Sequence, residues 1–216
     1  MGPLHGIKVL DLSQIVSGPM AAAWLTDQGA ECIKLESPTG DPVRQFGARK
    51  GDMSAIFVAV NRGKRGETLD LKNSAHHPRF EELVRWADVL VENFRPGTME
   101  KLGWGWDRCR ALNPRLIWCA ITGFGPDGPY AALRAYDPVV QAASGLSAIQ
   151  AAPDGTPQLV GSLVCDKVTA LTAAQAITAA LFHRERSGEG QRLDIAMLDA
   201  AIAFNWVEGM YNQAFV

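Results

Sequence analysis

One carboxylate, Asp166, is placed where a protein could use it as a nucleophile. It follows the segment 161–165 and opens a long apolar pattern that predicts a helix over 166–183. Aspartate is a favoured N-cap residue, and its charge complements the positive end of a helix, so a structural cap is the simpler interpretation. The same position would also present a carboxylate nucleophile close to backbone N–H groups that can stabilise an oxyanion. From these residues alone we favour the cap and keep the nucleophile as the alternative.

Two short segments have the residue types that bind a phosphorylated nucleotide. The basic turn 61–66 (NRGKRG) combines glycine, for close backbone approach, with the charged donors Lys64 and Arg65. Asn93-Phe94-Arg95 follows a predicted strand, at the sheet edge where open α/β folds bind ligands. An aromatic face beside an arginine could hold an adenine ring and a phosphate. A solvated loop is the commoner fate of such basic runs, so neither segment decides a function alone.

The string 123–128 (GFGPDG) matches the glycine pattern of a dinucleotide-binding loop. In that motif the glycines open a helix whose N–H groups face the pyrophosphate. Here Pro126, Gly128 and Pro129 prevent a regular first turn, and the first strand–helix turn of the chain carries Ser17-Gly18-Pro19 instead. An NAD-binding oxidoreductase is therefore a weaker alternative that a titration with NAD would test.

Composition excludes several other classes. The chain has 216 residues, 47% of them hydrophobic, and a formal net charge of −2, which argues against a nucleic-acid binder and against a polybasic membrane anchor. The longest uncharged apolar stretch, 168–182, is too short to span a bilayer. The four cysteines and four histidines show no metal-ligand spacing, which predicts no metal site, and single cysteines are typical of a reducing cytoplasm.

Alternating apolar strands and amphipathic helices predict an α/β fold, with a mostly parallel sheet covered by helices on both faces. Strands are predicted at 7–12, 32–35, 68–71, 88–92, 116–121 and 193–195. Helices are predicted at 20–28, 80–86, 106–112, 137–144, 166–183 and 198–210, and a long loop at 36–55. The sequence ends directly after an apolar helical pattern, without a cap or polar tail. We interpret this as a chain cut within a larger protein and expect exposed apolar surface over 198–216; a fraying terminal helix is the alternative.

Taken together, several strings resemble the family III (class III) CoA-transferases, which include formyl-CoA transferases, carnitine CoA-transferases and α-methylacyl-CoA racemases. Their order and spacing hold over nearly the whole chain. The strings are 6–12 (GIKVLDL), 17–19 (SGP), 29–36 (GAECIKLE), 61–65 (NRGKR), 88–97 (DVLVENFRPG), 123–125 (GFG), 128–130 (GPY), 136–137 (YD), 141–145 (QAASG), Asp166 and 186–191 (RSGEGQ).

The resemblance reverses our preference for Asp166, because its position matches the catalytic aspartate of the family. It implies a CoA-transferase that passes CoA from an acyl-CoA to a carboxylic acid through an aspartyl-CoA thioester. The CoA thioester is then a substrate, and no permanently bound cofactor is needed. It also implies a Rossmann-like large domain, an interlocked homodimer, and a second small domain that lies outside this chain. Residues 1–216 would be the N-terminal part of the large domain, and the fragment could be inactive on its own.

The remaining site residues also follow from the resemblance. Lys64, Arg65, Asn93 and Phe94 would line the CoA site, and Arg95 beside them is a further candidate for binding CoA or substrate. Val16 lies near the start of the acyl pocket, where formyl-CoA transferases carry glutamine, which argues against formyl exchange. Tyr136 takes the place of the histidine base of the racemases. Since a tyrosine with an ordinary pKa is a poor base at neutral pH, this favours a transferase over a racemase.

Overall fold

Six parallel strands form the main sheet of the computed structural model, which describes residues 1–211. The strands of the chain are β1 (Lys8–Asp11), β2 (Glu31–Glu36), β3 (Arg49–Lys50), β4 (Met53–Ser54), β5 (Arg65–Thr68), β6 (Val89–Glu92), β7 (Ile117–Thr122) and β8 (Arg192–Ala196). The helices are α1 (Ser17–Asp27), α2 (Ala55–Asn61), α3 (His77–Trp86), α4 (Thr98–Lys101), α5 (Trp106–Leu112), α6 (Asp137–Ala143), α7 (Leu146–Ile149), α8 (Val164–Ser187), α9 (Met197–Phe204) and α10 (Trp206–Tyr211).

The strand order is β5-β2-β1-β6-β7-β8, and every neighbouring pair is parallel. Chain connections run outward in opposite directions from β1, so the order reverses between β1 and β6. Leu10 of β1 is in register with Ile33 on one side and Leu90 on the other. In open α/β sheets a reversal of this kind leaves a crevice at the carboxyl ends of the two strands.

Both faces of the sheet are covered, which explains the near-continuous apolar strands. Because side chains alternate along a strand, Val89 and Val91 face one core while Leu90 faces the other. The first core contains α1 and α8, which meet through small buried alanines such as Ala22 and Ala173. The second core is built around Phe80 and other bulky side chains of the α3 and α5 side. The predicted α/β class is thus confirmed.

Several predicted boundaries were wrong. The strand placed at 68–71 lies at Arg65–Thr68, where it forms a polar edge strand that pairs only with β2. Polar edges are common because they discourage further pairing, and here the polarity concealed the strand. The predicted loop 36–55 contains a 3-10 turn, Pro42–Gln45, and the short β3–β4 hairpin. Helix α2 was missed, although the Ser54 hydroxyl caps it by accepting the Phe57 N–H at 3.0 Å.

The end of the described chain is apolar and exposed, as expected. Phe204, Trp206, Val207 and Tyr211 are each more than half exposed on α9 and α10. The prediction for residues 212–216 lies outside the described residues. Among the helices that the structure describes, none has both the length and the apolar character needed to cross a membrane.

Candidate active site

A cleft of about 250 Å³ opens where the strand order reverses. It brings together five residues singled out from the sequence: Asn93, Phe94, Arg95, Tyr136 and Asp166. The segment after β6 supplies the first three, and the segments that open α6 and α8 supply the other two. The remaining walls include Ile15, Ser17, Thr122, Leu133, Arg134 and Met197.

The turn that follows β1 forms one wall and is fixed by two neighbouring loops. The Gln14 N–H donates to Asn93 Oδ1 at 2.7 Å, and Asn93 Nδ2 donates to the Gln14 carbonyl at 2.7 Å. The Ile15 N–H donates to Asp41 Oδ1 at 3.1 Å. Ile15 has a φ of 69°, a conformation that is strained for a β-branched residue and is maintained by its surroundings. Asn93 therefore shapes this wall as well as lining the cleft.

Helix α1 begins directly after this turn. Val16, the predicted acyl-pocket residue, is its N-cap and is buried between two residues that line the cleft. A Cβ at Gly18 would lie 2.3 Å from the Ser13 Cβ, so only glycine fits there. The glycine lets the helix start close to the end of β1, and the buried Ser17 lies beside the cleft as a result.

Asp166 lies in the first turn of α8, two residues after the helix begins at Val164. The cap interpretation is therefore wrong, since the N-cap residue is Leu163. The Asp166 backbone N–H donates to Asp137 Oδ2 at 2.9 Å. Asp137 is buried at the start of α6, and its other carboxylate oxygen accepts from Gln141 Nε2. The Asp137 carboxylate thus lies next to the first turn of α8, which carries Asp166.

Burial and, as a smaller effect, the nearby charge of Asp137 raise the pKa of Asp166 to about 6. Hydrogen bonding from the Ser17 hydroxyl and from the Ser17 backbone N–H opposes these two effects. A carboxylate with a pKa near 6 is mostly ionised at neutral pH. It is also a stronger base and nucleophile than an ordinary aspartate, as suits a reactive group.

The two basic residues of the 61–66 turn do not line the cleft. The Lys64 ammonium is buried and donates to Asp11 Oδ2 at 2.7 Å, to the Pro19 carbonyl at 2.7 Å and to Asn61 Oδ1 at 2.9 Å. These bonds use all three of its N–H donors, so none is left for a phosphate in this arrangement. The exposed Arg65 guanidinium pairs with Glu31. Their assignment to a CoA site remains a prediction.

A second cavity of about 130 Å³ lies on the other side of Phe94, which lines both. Its walls are largely aliphatic and include Leu35, Leu69, Leu71 and Leu102, with Lys72 at the edge. Sequence reasoning missed these residues because it read 68–71 as a strand. It also missed Ile15, for which no sequence signal exists, and Asp137, which it quoted only as part of a string. No group of three His, Cys, Asp or Glu side chains suited to a metal ion occurs within residues 1–211.

The parallel sheet reverses its strand order beside β1, and the cleft lies at that point. The cleft contains an aspartate, Asp166, whose pKa is raised. Together these features define a Rossmann-like α/β enzyme domain. The chain belongs to CoA-transferase family III, whose family model matches residues 4–214. This finding confirms the resemblance drawn from the short strings. The matched range includes the 123–128 glycines.

Relatives of known name agree with this membership. The chain is 43% identical to the acetyl-CoA:oxalate CoA-transferase of Acetobacter aceti, covering 94% of this chain and 53% of that protein. It is 44% identical to the succinate–glutarate CoA-transferase of Agrobacterium fabrum, covering 93% and 52%. A crystal structure of a CAIB/BAIF family protein from Brucella suis superposes with a TM-score of 0.94 at 38% identity, covering 99% of this chain and 58% of that one. The chain thus spans about half the length of the curated relatives it matches.

Proposed function

We propose that the protein carrying this chain transfers CoA from an acyl-CoA to a carboxylic acid, with Asp166 as the covalent nucleophile. The observation that carries the proposal is the position of Asp166: a half-buried carboxylate, mostly ionised at pH 7, inside the cleft at the switch point of the sheet. Membership in the family supports the same reaction.

The chemistry requires no proton transfer at its central steps. An Asp166 carboxylate oxygen attacks the thioester carbonyl carbon, a C–O bond forms, and CoA leaves as the thiolate when the C–S bond breaks. The thiolate then attacks Cγ of Asp166, which releases the donor acid as a carboxylate and leaves an aspartyl-CoA thioester. The acceptor carboxylate repeats the two steps in reverse. Splitting the exchange in this way replaces one difficult displacement with several easier ones.

The two cavities support binding of a long substrate. Phe94 lines both the cleft that contains Asp166 and an aliphatic cavity with Lys72 at its edge. We infer that the acyl end and the thioester of the substrate occupy the first cavity, and that the nucleotide extends past Phe94 toward the second. Arg95 in the first cleft is suited to a pyrophosphate or carboxylate group.

A dicarboxylic acid is the acceptor or donor class that the site supports best. Relatives are named for oxalate, glutarate and mesaconate. Arg95 and Arg134 line the same cleft as Asp166, and neither pairs with a carboxylate among the described residues. One guanidinium group can therefore bind the carboxylate that does not react. We further propose a cytoplasmic homodimer in which the exposed apolar residues of α9 and α10 are covered.

Tyr136 favours a transferase over a racemase of the same family. It is exposed beside the cleft, and no histidine among residues 1–211 lines that cleft to serve as a second acid–base group. Incubation of a 2-methylacyl-CoA with the protein in deuterated water tests the choice. Fast α-deuterium incorporation in the absence of any acceptor acid would identify a racemase.

The direct test of the nucleophile is trapping. The protein is incubated with an acyl-CoA and reduced with borohydride, and its peptides are analysed by mass spectrometry. We expect reduction of the Asp166 side chain, from thioester to alcohol. The matched control is Asp107→Asn, which changes an exposed aspartate in the first turn of another helix and should leave trapping unchanged. Trapping at a different residue, or none with a broad panel of acyl-CoAs, would refute the proposal.

A further inference from the structure

The turn of residues 13–17 ends at Ser17, which lines the same cleft as Asp166. Ser17 is the first residue of α1, is 4% exposed, and lines the cleft together with Asp166. Helices α1 and α8 pack against each other through small alanine side chains, which brings the start of α1 close to the start of α8. The packing of two helices therefore holds Ser17 in the cleft beside Asp166.

The backbone that carries Ser17 is unusually well fixed. Asn93 binds both polar groups of Gln14, Asp41 accepts the Ile15 N–H, and Lys64 donates to the Pro19 carbonyl. The left-handed Ile15 is the bend that redirects the chain from β1 into α1. Strain of this kind persists only where the surroundings determine the conformation, and it is concentrated at functional positions. A donor on such a support is preorganised.

We propose that the Ser17 hydroxyl is a catalytic hydrogen-bond donor to the carboxyl oxygen of Asp166 that does not attack the substrate. The inference rests on the proposed covalent role of Asp166 and assigns a second side chain to that reaction. It concerns the hydroxyl and is separate from the backbone N–H of the same residue.

The role follows from where negative charge develops. When the CoA thiolate attacks Cγ of the acylated Asp166, a C–S bond forms and the electron pair of the carbonyl bond moves to the remaining carboxyl oxygen. That oxyanion collapses when the C–O bond to the donor acyl group breaks, and the donor acid leaves as a carboxylate. A hydroxyl that already donates to this oxygen stabilises the oxyanion without rearrangement, and it keeps its own proton throughout.

Electrostatics support the same arrangement. Burial and the Asp137 charge raise the pKa of Asp166, whereas hydrogen bonding from Ser17 lowers it. Asp137 on α6 is the titratable group that acts most strongly on Asp166, and Arg95, Arg134 and Tyr136 are the other ionisable side chains of the cleft. The Ser17 hydroxyl thus favours the ionised nucleophile before the reaction and the oxyanion during it.

Two substitutions separate hydrogen bonding from packing. Ser17→Ala removes the hydroxyl, and Ser17→Cys fills the same space with a poor donor. We expect both to raise the pKa of Asp166 by about half a unit to one unit, followed by the NMR titration of its labelled carboxyl carbon. We also expect both to lower kcat about tenfold to a hundredfold with a smaller change in KM. Ser162→Ala, an exposed serine just before α8, is the control and should change neither quantity.

The outcomes are distinct. An unchanged Asp166 pKa in Ser17→Ala, or a Cys variant that restores both pKa and kcat, would overturn the proposal. If Ser17→Ala fails to fold, the Cys variant alone decides, since its volume is close to that of serine. A raised pKa in a protein that never forms an acyl-CoA adduct would support the hydrogen bond and refute only the covalent function.

Discussion

The fully buried Asp11 and the half-buried Asp166 have opposite electrostatic surroundings. Asp11 ends β1 with its carboxylate fully buried, 2.7 Å from the Lys64 ammonium and 3.9 Å from that of Lys34. These two ammonium groups hold its pKa below the usual value, although burial alone would raise it. Asp166 has a second carboxylate, Asp137, as its charged neighbour, and its pKa is raised to about 6.

The difference shows that the charge of the neighbours decides what a buried carboxylate can do. Burial acts on both groups in the same direction. At Asp11 two ammonium groups and a serine hydroxyl satisfy the charge of the carboxylate completely. The Asp11 carboxylate therefore connects strands and loops, and it has no position left to bind a ligand. At Asp166 the charge is only partly satisfied, and the carboxylate keeps the basicity that a nucleophile needs. The first region is structural, and the second is suited to chemistry.

Among substitutions that alter these two aspartate sites, the largest expected effect is on activity. Asp166→Asn removes the nucleophile while it preserves size and the backbone N–H bond to Asp137. CoA exchange should therefore fall by about three orders of magnitude or more, as for other lost nucleophiles. Steady-state exchange assays and a circular dichroism spectrum measure the two quantities. Wild-type turnover by a variant shown to remain Asn by mass spectrometry would remove Asp166 from the mechanism.

The next largest effect is on stability at the Asp11 site. Lys64→Met leaves a buried carboxylate with one cation at 3.9 Å, and we expect the free energy of unfolding to fall by about 3 kcal/mol. Arg65→Met, at the next residue, breaks an exposed pair with Glu31 and should change it by less than about 1 kcal/mol. Urea denaturation at pH 7 measures both. Equal losses in the two variants would show that the Asp11 cluster is not a closed structural unit.

The fold and part of the site could be predicted from the sequence, and the surroundings of Asp11 and Asp166 show why the rest could not. Apolar strands such as 89–92 and the helix after Asp166 were predicted because local composition determines them, whereas the polar edge strand β5 was concealed by its exposure. Asp166 was found through the family resemblance, since physical reasoning alone favoured a cap. The partners Asp137 and Ser17 and the engagement of Lys64 with Asp11 depend on contacts between distant segments, which no local pattern encodes.

A smaller effect concerns the pH dependence of stability. The pKa of Asp166 lies above its unfolded value of 3.8, so the folded state binds the proton more tightly and loses stability as the pH rises from about 4 to about 6. Asp166→Asn removes this loss. The variant should match the wild type near pH 4 and exceed its free energy of unfolding by about 2 kcal/mol above pH 7.

Urea denaturation between pH 4 and pH 8 follows the difference. Asp11 should act in the opposite sense: its lowered pKa contributes stability at neutral pH that is lost as the pH falls through the acidic range. An Asn variant that is less stable than the wild type at pH 8 would mean that the surroundings of Asp166 favour its charge as those of Asp11 do.

The smallest expected effect concerns Asp137, whose charge distinguishes the surroundings of Asp166 from those of Asp11. Asp137→Asn removes the like charge beside Asp166, so the pKa of Asp166 should fall and the acidic limb of the kcat/KM profile should move to lower pH. The Asn carbonyl can still accept the Asp166 N–H. Its amide would face the Gln141 amide, a second donor, so one hydrogen bond is lost and stability should fall by about 1 kcal/mol.

The direction of the pH shift distinguishes charge from structure. If Asp137→Asn acted only by loosening the packing around Asp166, water would enter, and the resulting pH shift would not depend on the sign of the charge that was removed. Ser17→Ala should move the same limb to higher pH, whereas Asp199→Asn, an exposed aspartate in the first turn of α9, should leave it in place. If Asp137→Asn raises the limb or leaves it unchanged, the second carboxylate acts only as a hydrogen-bond acceptor. The opposite surroundings of Asp11 and Asp166 would then no longer account for their different roles.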